Sequence, residues 1–298
     1  MPQIDLRQAA LLTVAAEFCF AAMGVAIKSV SAELSTAMIV FVRSAIMIAV
    51  LGPWLSRAGQ AGLRTRRPWL HLLRGLAGVS AMFCFFYAIA HIPLAQAWLL
   101  KLSAPLFIPL IALAWLREPV GARVALAVTL GFVGVYLVLA PGGAQASPVA
   151  WIALAGGAFA AVAKTSIRRL SSTEPAARTV FYFGVVSTVV SAPFALSDWT
   201  APSPTGWLWL VMIVAFATAG QLLMTRAFAH APAGSVGPFA YSSVVFASLW
   251  GDLLWDETPG PWTIAGAALI VAAGWVLLRS RGPLRRTVAE PAPGSGAV

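Results

Sequence analysis

Residues 88–97 read AIAHIPLAQA, and residues 227–236 read AFAHAPAGSV. The same apolar phrase, closed by a His two positions before a Pro, is spoken twice at a spacing of 139 residues. The register runs outward without a gap: Ala88/Ala227, Ala90/Ala229, His91/His230, Pro93/Pro232, Ser103/Ser242, Phe107/Phe246, Glu118/Glu257 and Gly121/Gly260 all match. A Pro after an apolar helical run marks a helix end, because it has no N–H and disfavours helical geometry in the residue before it. Two copies of one helix-rich unit are therefore expected, each punctuated at the same place.

The solvent of these helices follows from composition. Of 298 residues, 60% are apolar and 10% charged, where soluble domains carry about 25% charged. A bilayer core needs about 20 apolar residues per helix. The chain supplies ten such runs, near 10–30, 35–55, 69–91, 94–116, 120–140, 148–167, 176–196, 205–229, 234–255 and 260–279. The expected fold class is an all-α polytopic membrane protein of ten transmembrane helices, divided into repeats over 1–143 and 144–282 with a disordered cytoplasmic tail over 283–298. Five crossings per copy is an odd number, so the second copy enters the membrane upside down. Inverted repeats of this kind build carriers whose site lies near the bilayer midplane.

The formal charge of +10 is topological. With a cytoplasmic N-terminus, seventeen of the twenty Lys and Arg residues fall on the cytoplasmic side, leaving Lys28 at the opposite face and Arg43 and Lys101 inside spans. The positive-inside rule then places both termini in the cytoplasm of an inner-membrane protein, and no nucleic-acid partner is expected. The first run exceeds 20 residues, carries Glu17 and lacks a convincing cleavage site, so it reads as a retained helix. Cys19 and Cys84 both sit in apolar runs, so neither a disulfide nor a metal site is expected. Three His and no Gly-rich phosphate cradle argue against an enzyme and against a cofactor. No loop reads as a channel's selectivity filter.

The stretch FFYAIAHIPLAQAWLLKLSAPLFIPLIALAWLREPVGARVALAVTLGFVGVYLVL resembles the second part of an EamA domain of the drug/metabolite transporter superfamily. The residues that carry the likeness are Tyr87-Ala88-Ile89, Ser103-Ala104-Pro105, Arg117-Glu118, and Gly131 with Gly134. MIVFVRSAIMIAV resembles the family's second helix, with Arg43 at its usual Arg. The second copy departs at Val244, opposite Pro105, and at Asp256, where Gly is usual. The resemblance spans nearly the whole chain. It implies a metabolite carrier with a cavity among spans one, three, four, six, eight and nine.

Charges in hydrocarbon cost roughly 2.5–3.5 kcal/mol each on insertion scales, so they need a reason. Glu17 lies on the α-helical stripe Thr13, Glu17, Ala21, Gly24, Lys28, where it either meets a substrate amine or proton, or pairs with a buried base such as Arg43. Lys101 shares a face with Trp98 and Pro105 and suits a substrate carboxylate, its alternative being an internal pair or snorkelling. Arg43 reads as a structural charge. Tyr87, Phe159, Tyr241 and Trp250 supply possible wall aromatics, and Gln221 a midplane amide, with ordinary packing as the alternative for each. Pro105 and Pro109 are expected hinge positions, or else static kinks. His91 and His230 read as interface anchors. Glu118 and Glu257 pair with bases or begin the next helix.

The function these features suggest is export of amino acids and related small amphipathic metabolites by alternating access. Another organic metabolite such as S-adenosylmethionine, moved by import or exchange, is the alternative, as is a channel. A small-molecule substrate and the lipid bilayer are the expected partners, with a monomer as one admissible assembly.

Overall fold

The computed structural model describes residues 6–57, 64–111, 113–114, 121–141, 145–170, 173–230 and 237–280. Glu118, Pro232 and the tail over 283–298, singled out above, lie outside them. Among the described residues eleven α-helices follow one another: α1 (Leu6–Val30), α2 (Thr36–Arg57), α3 (Pro68–His91), α4 (Leu94–Lys101), α5 (Ala104–Ile111), α6 (Ala122–Leu139), α7 (Pro148–Leu170), α8 (Ala176–Ser197), α9 (Pro204–His230), α10 (Ser242–Trp255) and α11 (Pro261–Ser280). A 3-10 turn, Gly237–Tyr241, leads into α10. No strand occurs among the described residues.

Helix starts follow the prolines. Pro68 opens α3, Pro93 precedes α4, Pro148 opens α7, Pro175 precedes α8, and Pro204 and Pro261 open α9 and α11, since the first turn needs no intrahelical N–H. Among the described residues, seven helical segments are long and apolar enough to cross a membrane. Stretches Thr36–Val50 of α2 and Pro261–Leu277 of α11 are apolar but shorter, and α10 has 14 residues.

The run expected over 94–116 is not one helix. It breaks at residues 102–103, between α4 and α5. Pro105 cannot donate to the carbonyl of Lys101 one turn back. Ser103 turns its hydroxyl onto the Leu100 carbonyl at 2.5 Å, and the Leu106 N–H bonds the Ser103 carbonyl at 2.8 Å. Pro109 lies within α5, so the discontinuity falls just before Pro105. Helix α7 seats against this break because Gly157 has no side chain; a Cβ there would stand 2.6 Å from Ser103 Oγ and 3.1 Å from the Leu100 carbonyl.

Polar contacts between turns reveal how the helices alternate. At one end, Lys28 of α1 pairs with Glu257 after α10, and Glu257 also accepts the Leu94 N–H at 2.8 Å. Lys28 Nζ donates to the Ile92 carbonyl as well, at 3.3 Å. At the same end Glu33 accepts the backbone N–H and hydroxyl of Ser203. The opposite end holds a second clasp, where Glu174 accepts the Thr65 hydroxyl at 2.7 Å and a hydrogen bond from Arg178. Burial opposes the Glu174 charge, but the Thr65 and Arg178 hydrogen bonds and the Arg178 cation outweigh it, holding its carboxyl below the ordinary carboxylate range.

Helices pair as α1 with α9, α3 with α7, α2 with α8, α6 with α11, and α4 with α10. The α6–α11 seam is a close backbone crossing: a Cβ on Gly134 would lie 2.7 Å from the Gly266 carbonyl. Large side chains cannot occupy such a crossing, and small ones are what membrane helices use for it.

Candidate functional site

The break in the fourth run ends α4 on Lys101, deep inside the bundle. Its ammonium lies 3.9 Å from the Trp98 ring centroid and 4.3 Å from that of Phe85. Trp98 is 1% exposed and is set by an edge-on contact with Phe85 at 5.1 Å. Two aromatic faces thus hold the cation where no carboxylate is within ion-pair distance among the described residues, an arrangement that aromatic quadrupoles favour.

Lys101 opens onto a cavity of about 480 Å³, within the usual size of small-molecule sites. Helix α1 presents Thr13, Glu17, Phe20 and Met23 to it, and α3 presents Ala81, Met82, Phe85 and Phe86. Helix α7 adds Ala153, Gly156, Ala160 and Lys164, and α9 adds Gln221 and Met224. Ala240 of the 3-10 turn, Arg43 of α2 and Phe183 of α8 complete the chemistry of the wall. Glu17 is 6% exposed. Among the described residues no cluster of His, Cys, Asp or Glu could hold a metal ion.

Of the residues expected to touch substrate, Glu17, Trp98, Lys101 and Gln221 meet at this cavity. Four others lie elsewhere. Tyr87 is 36% exposed and stacks on His91 at 4.1 Å, at the end of α3. Phe159 is 41% exposed on α7. Tyr241 fills the space beside Gly274 of α11, and Trp250 packs 6.1 Å from Phe18 on the α1–α10 seam. On α7 helical phase explains the difference: Ala153, Gly156, Ala160 and Lys164 form the stripe that faces the lumen, and Phe159 lies about a quarter turn off its centre.

Two wall residues departed from expectation. Arg43, read as a structural charge, lines the cavity, and so does Lys164, one of the seventeen basic residues counted on the cytoplasmic side. Spans two and seven, expected at the periphery, each send one side chain to the wall. Glu257 does pair with a base, but the base is Lys28, far away in sequence, and the helix whose N-terminus it caps is α4. The Schellman-like end of α10 aims it there: the Asp256 N–H bonds the Asp252 carbonyl, the Glu257 N–H reaches back to Gly251, and Asp256 takes a left-handed φ of 53°. This left-handed position is where the family resemblance expected Gly.

A model of the EamA-like transporter family matches residues 7–140 and again 147–279. The pseudopaline exporter of Pseudomonas aeruginosa strain PAO1 is 37% identical over 278 residues, covering 93% of this chain and 98% of its own. The S-adenosylmethionine uptake transporter of Rickettsia bellii is 27% identical, covering 81% of this chain and 83% of its own. The riboflavin transporter of Vibrio cholerae is 29% identical, covering 82% and 83%. A solved structure titled only as the crystal structure of a protein shares the fold, with a TM-score of 0.62 over 91% of this chain and 98% of that one, at 21% identity. These matches run across both copies of the repeated phrase and both ends of the cavity: the chain belongs to the EamA-like transporter family, is a membrane transporter of small molecules, and is not an enzyme.

Proposed function

We propose that this chain is an alternating-access exporter of amino acids and closely related zwitterions, formed by inverted halves over 1–143 and 144–282. The observation that carries the reading is the cavity that gathers Glu17 and Lys101, an acid for a substrate ammonium and a base for its carboxylate, beneath the Lys28–Glu257 closure. Such a pair recognises both ends of a zwitterion at once, and the apolar wall of Phe85, Phe86, Met82 and Met224 accepts a side chain.

Three features support the inverted halves. Exchanging the copies turns the α1–α9 pair into the α7–α3 pair and leaves the α2–α8 and α6–α11 pairs in place. The break before Ser103 and the 3-10 junction before Ser242 stand at the same repeat position. Wall residues recur at the 139-residue spacing too: Glu17 with Gly156, Met82 with Gln221, Phe85 with Met224, and Lys101 with Ala240. A cavity lined by equivalent positions of two copies lies on their pseudo-two-fold, where rocking opens it to either side. Charge placement assigns the Lys28–Glu257 end to the outside of an inner membrane, with both termini cytoplasmic. Export as the direction rests on likeness to the pseudopaline exporter.

Counterflow in proteoliposomes tests this. Preloaded unlabelled alanine, leucine or glutamate should accelerate uptake of the labelled amino acid, which a channel would not do. Glu17→Ala and Lys101→Ala should each reduce that exchange at least tenfold; unchanged flux in both variants would remove the proposed site.

A further inference from the structure

The cavity carries more positive charge than one amino-acid carboxylate can match. Among the described residues, Arg43 and Lys101 line it with Glu17 as the acid. Arg43 is the least accounted for. Its Nη1 reaches Met82 Sδ, at 2.8 Å, and its guanidinium carbon lies 5.9 Å from the Phe86 ring centroid. Its Nε is buried with no hydrogen-bond partner, and no carboxylate is within ion-pair distance among the described residues. A thioether is a weak acceptor. A guanidinium held this way keeps donors that the described protein atoms do not satisfy, and planar carboxylates are what its fork fits best.

We infer that Arg43 is a second anion-binding residue of the chamber, and that the preferred substrate is an amine bearing at least two carboxylates, one for Lys101 and one for Arg43. The inference rests on the transport reading of the same cavity and narrows its substrate. Met82 and Phe86 position the guanidinium from α3, so that Arg43, on α2, needs no protein carboxylate to hold its place. The two carboxylates meet Lys101 and Arg43, and the substrate ammonium meets Glu17.

The test uses the full chain purified in detergent and reconstituted, with L-alanine, L-glutamate, succinate and putrescine as probes. Thermal shifts and counterflow competition should rank glutamate first, succinate above alanine, and putrescine last. Arg43→Gln should weaken glutamate and succinate at least tenfold, and by several-fold more than it weakens alanine, and Arg43→Lys should restore part of the loss. Equal affinity of the wild type for alanine and glutamate would overturn the inference. So would an Arg43→Gln protein that loses every probe alike, or that retains the glutamate preference. The parent reading fails separately: succinate binding that depends on Arg43, without exchange of alanine or glutamate, would retire amino-acid transport and keep the second anion site.

Discussion

Replacing Glu257 by Gln removes the anion that holds Lys28 while leaving an amide oxygen able to accept the Leu94 N–H. The two side chains are 11% and 17% exposed, so the pair lies between a buried bridge, whose disruption costs about 3–5 kcal/mol, and an exposed one worth under about 1 kcal/mol. A loss of about 2 kcal/mol follows, and it falls on the closed state alone if the closure opens during transport. At about 1.4 kcal/mol per factor of ten, the population open at this face should rise roughly 30-fold. Ile92, 8% exposed, reports on the closure because its carbonyl takes the Lys28 hydrogen bond. With Cys19 and Cys84 replaced by Ser, an Ile92→Cys protein should react with a membrane-impermeant maleimide roughly 30-fold faster when Glu257→Gln is added. The charge-swapped double variant Lys28→Glu with Glu257→Lys should return most of the way. A labelling rate within twofold of the parent would refute the assignment of this contact as a closure.

The other expectations concern packing and protonation. Gly134→Ala places a methyl 2.7 Å from the Gly266 carbonyl, so α6 and α11 must separate; overpacking of this kind costs about 1–3 kcal/mol and should lower the melting temperature in detergent. Asp256→Gly should raise the melting temperature, adding up to about 1 kcal/mol of stability, because the left-handed φ of 53° strains any residue with a Cβ, whereas Asp256→Ala should not. Glu174 titrates below the ordinary carboxylate range when folded, so its clasp adds stability above the unfolded pKa of about 4.3 and loses it as pH falls through the lower folded value. Glu174→Gln should therefore destabilise at neutral pH and converge on the wild type in acid. Pro105→Ala restores an N–H for the Lys101 carbonyl, and should raise thermal stability while slowing exchange if the break in the fourth run works as a joint.

Much of the frame is legible in one dimension. Bilayers demand long apolar runs, and Pro and Gly end them, so membership of the all-helical class and most helix starts follow from composition and punctuation. The repeated phrase at 88–97 and 227–236 needs only counting. Glu17 and Lys101 stand out because charge in hydrocarbon is costly wherever the helices go. The four aromatics that missed the cavity show the limit of this reasoning: an apolar helix in lipid has no polar face to set its rotation, so periodicity does not say which side of α7 or α10 turns inward.

Sequence alone determined that this polypeptide is a helical membrane protein in which one apolar phrase recurs, with its few buried charges marked. Tertiary structure decided which of those charges meet. Arg43 reaches the cavity because Met82 and Phe86 draw it inward from α3, and Lys28 finds Glu257 across 229 positions because helices α1 and α10 pack together. Proximity between distant residues is set by packing and helix rotation, neither of which is written in the local order of side chains.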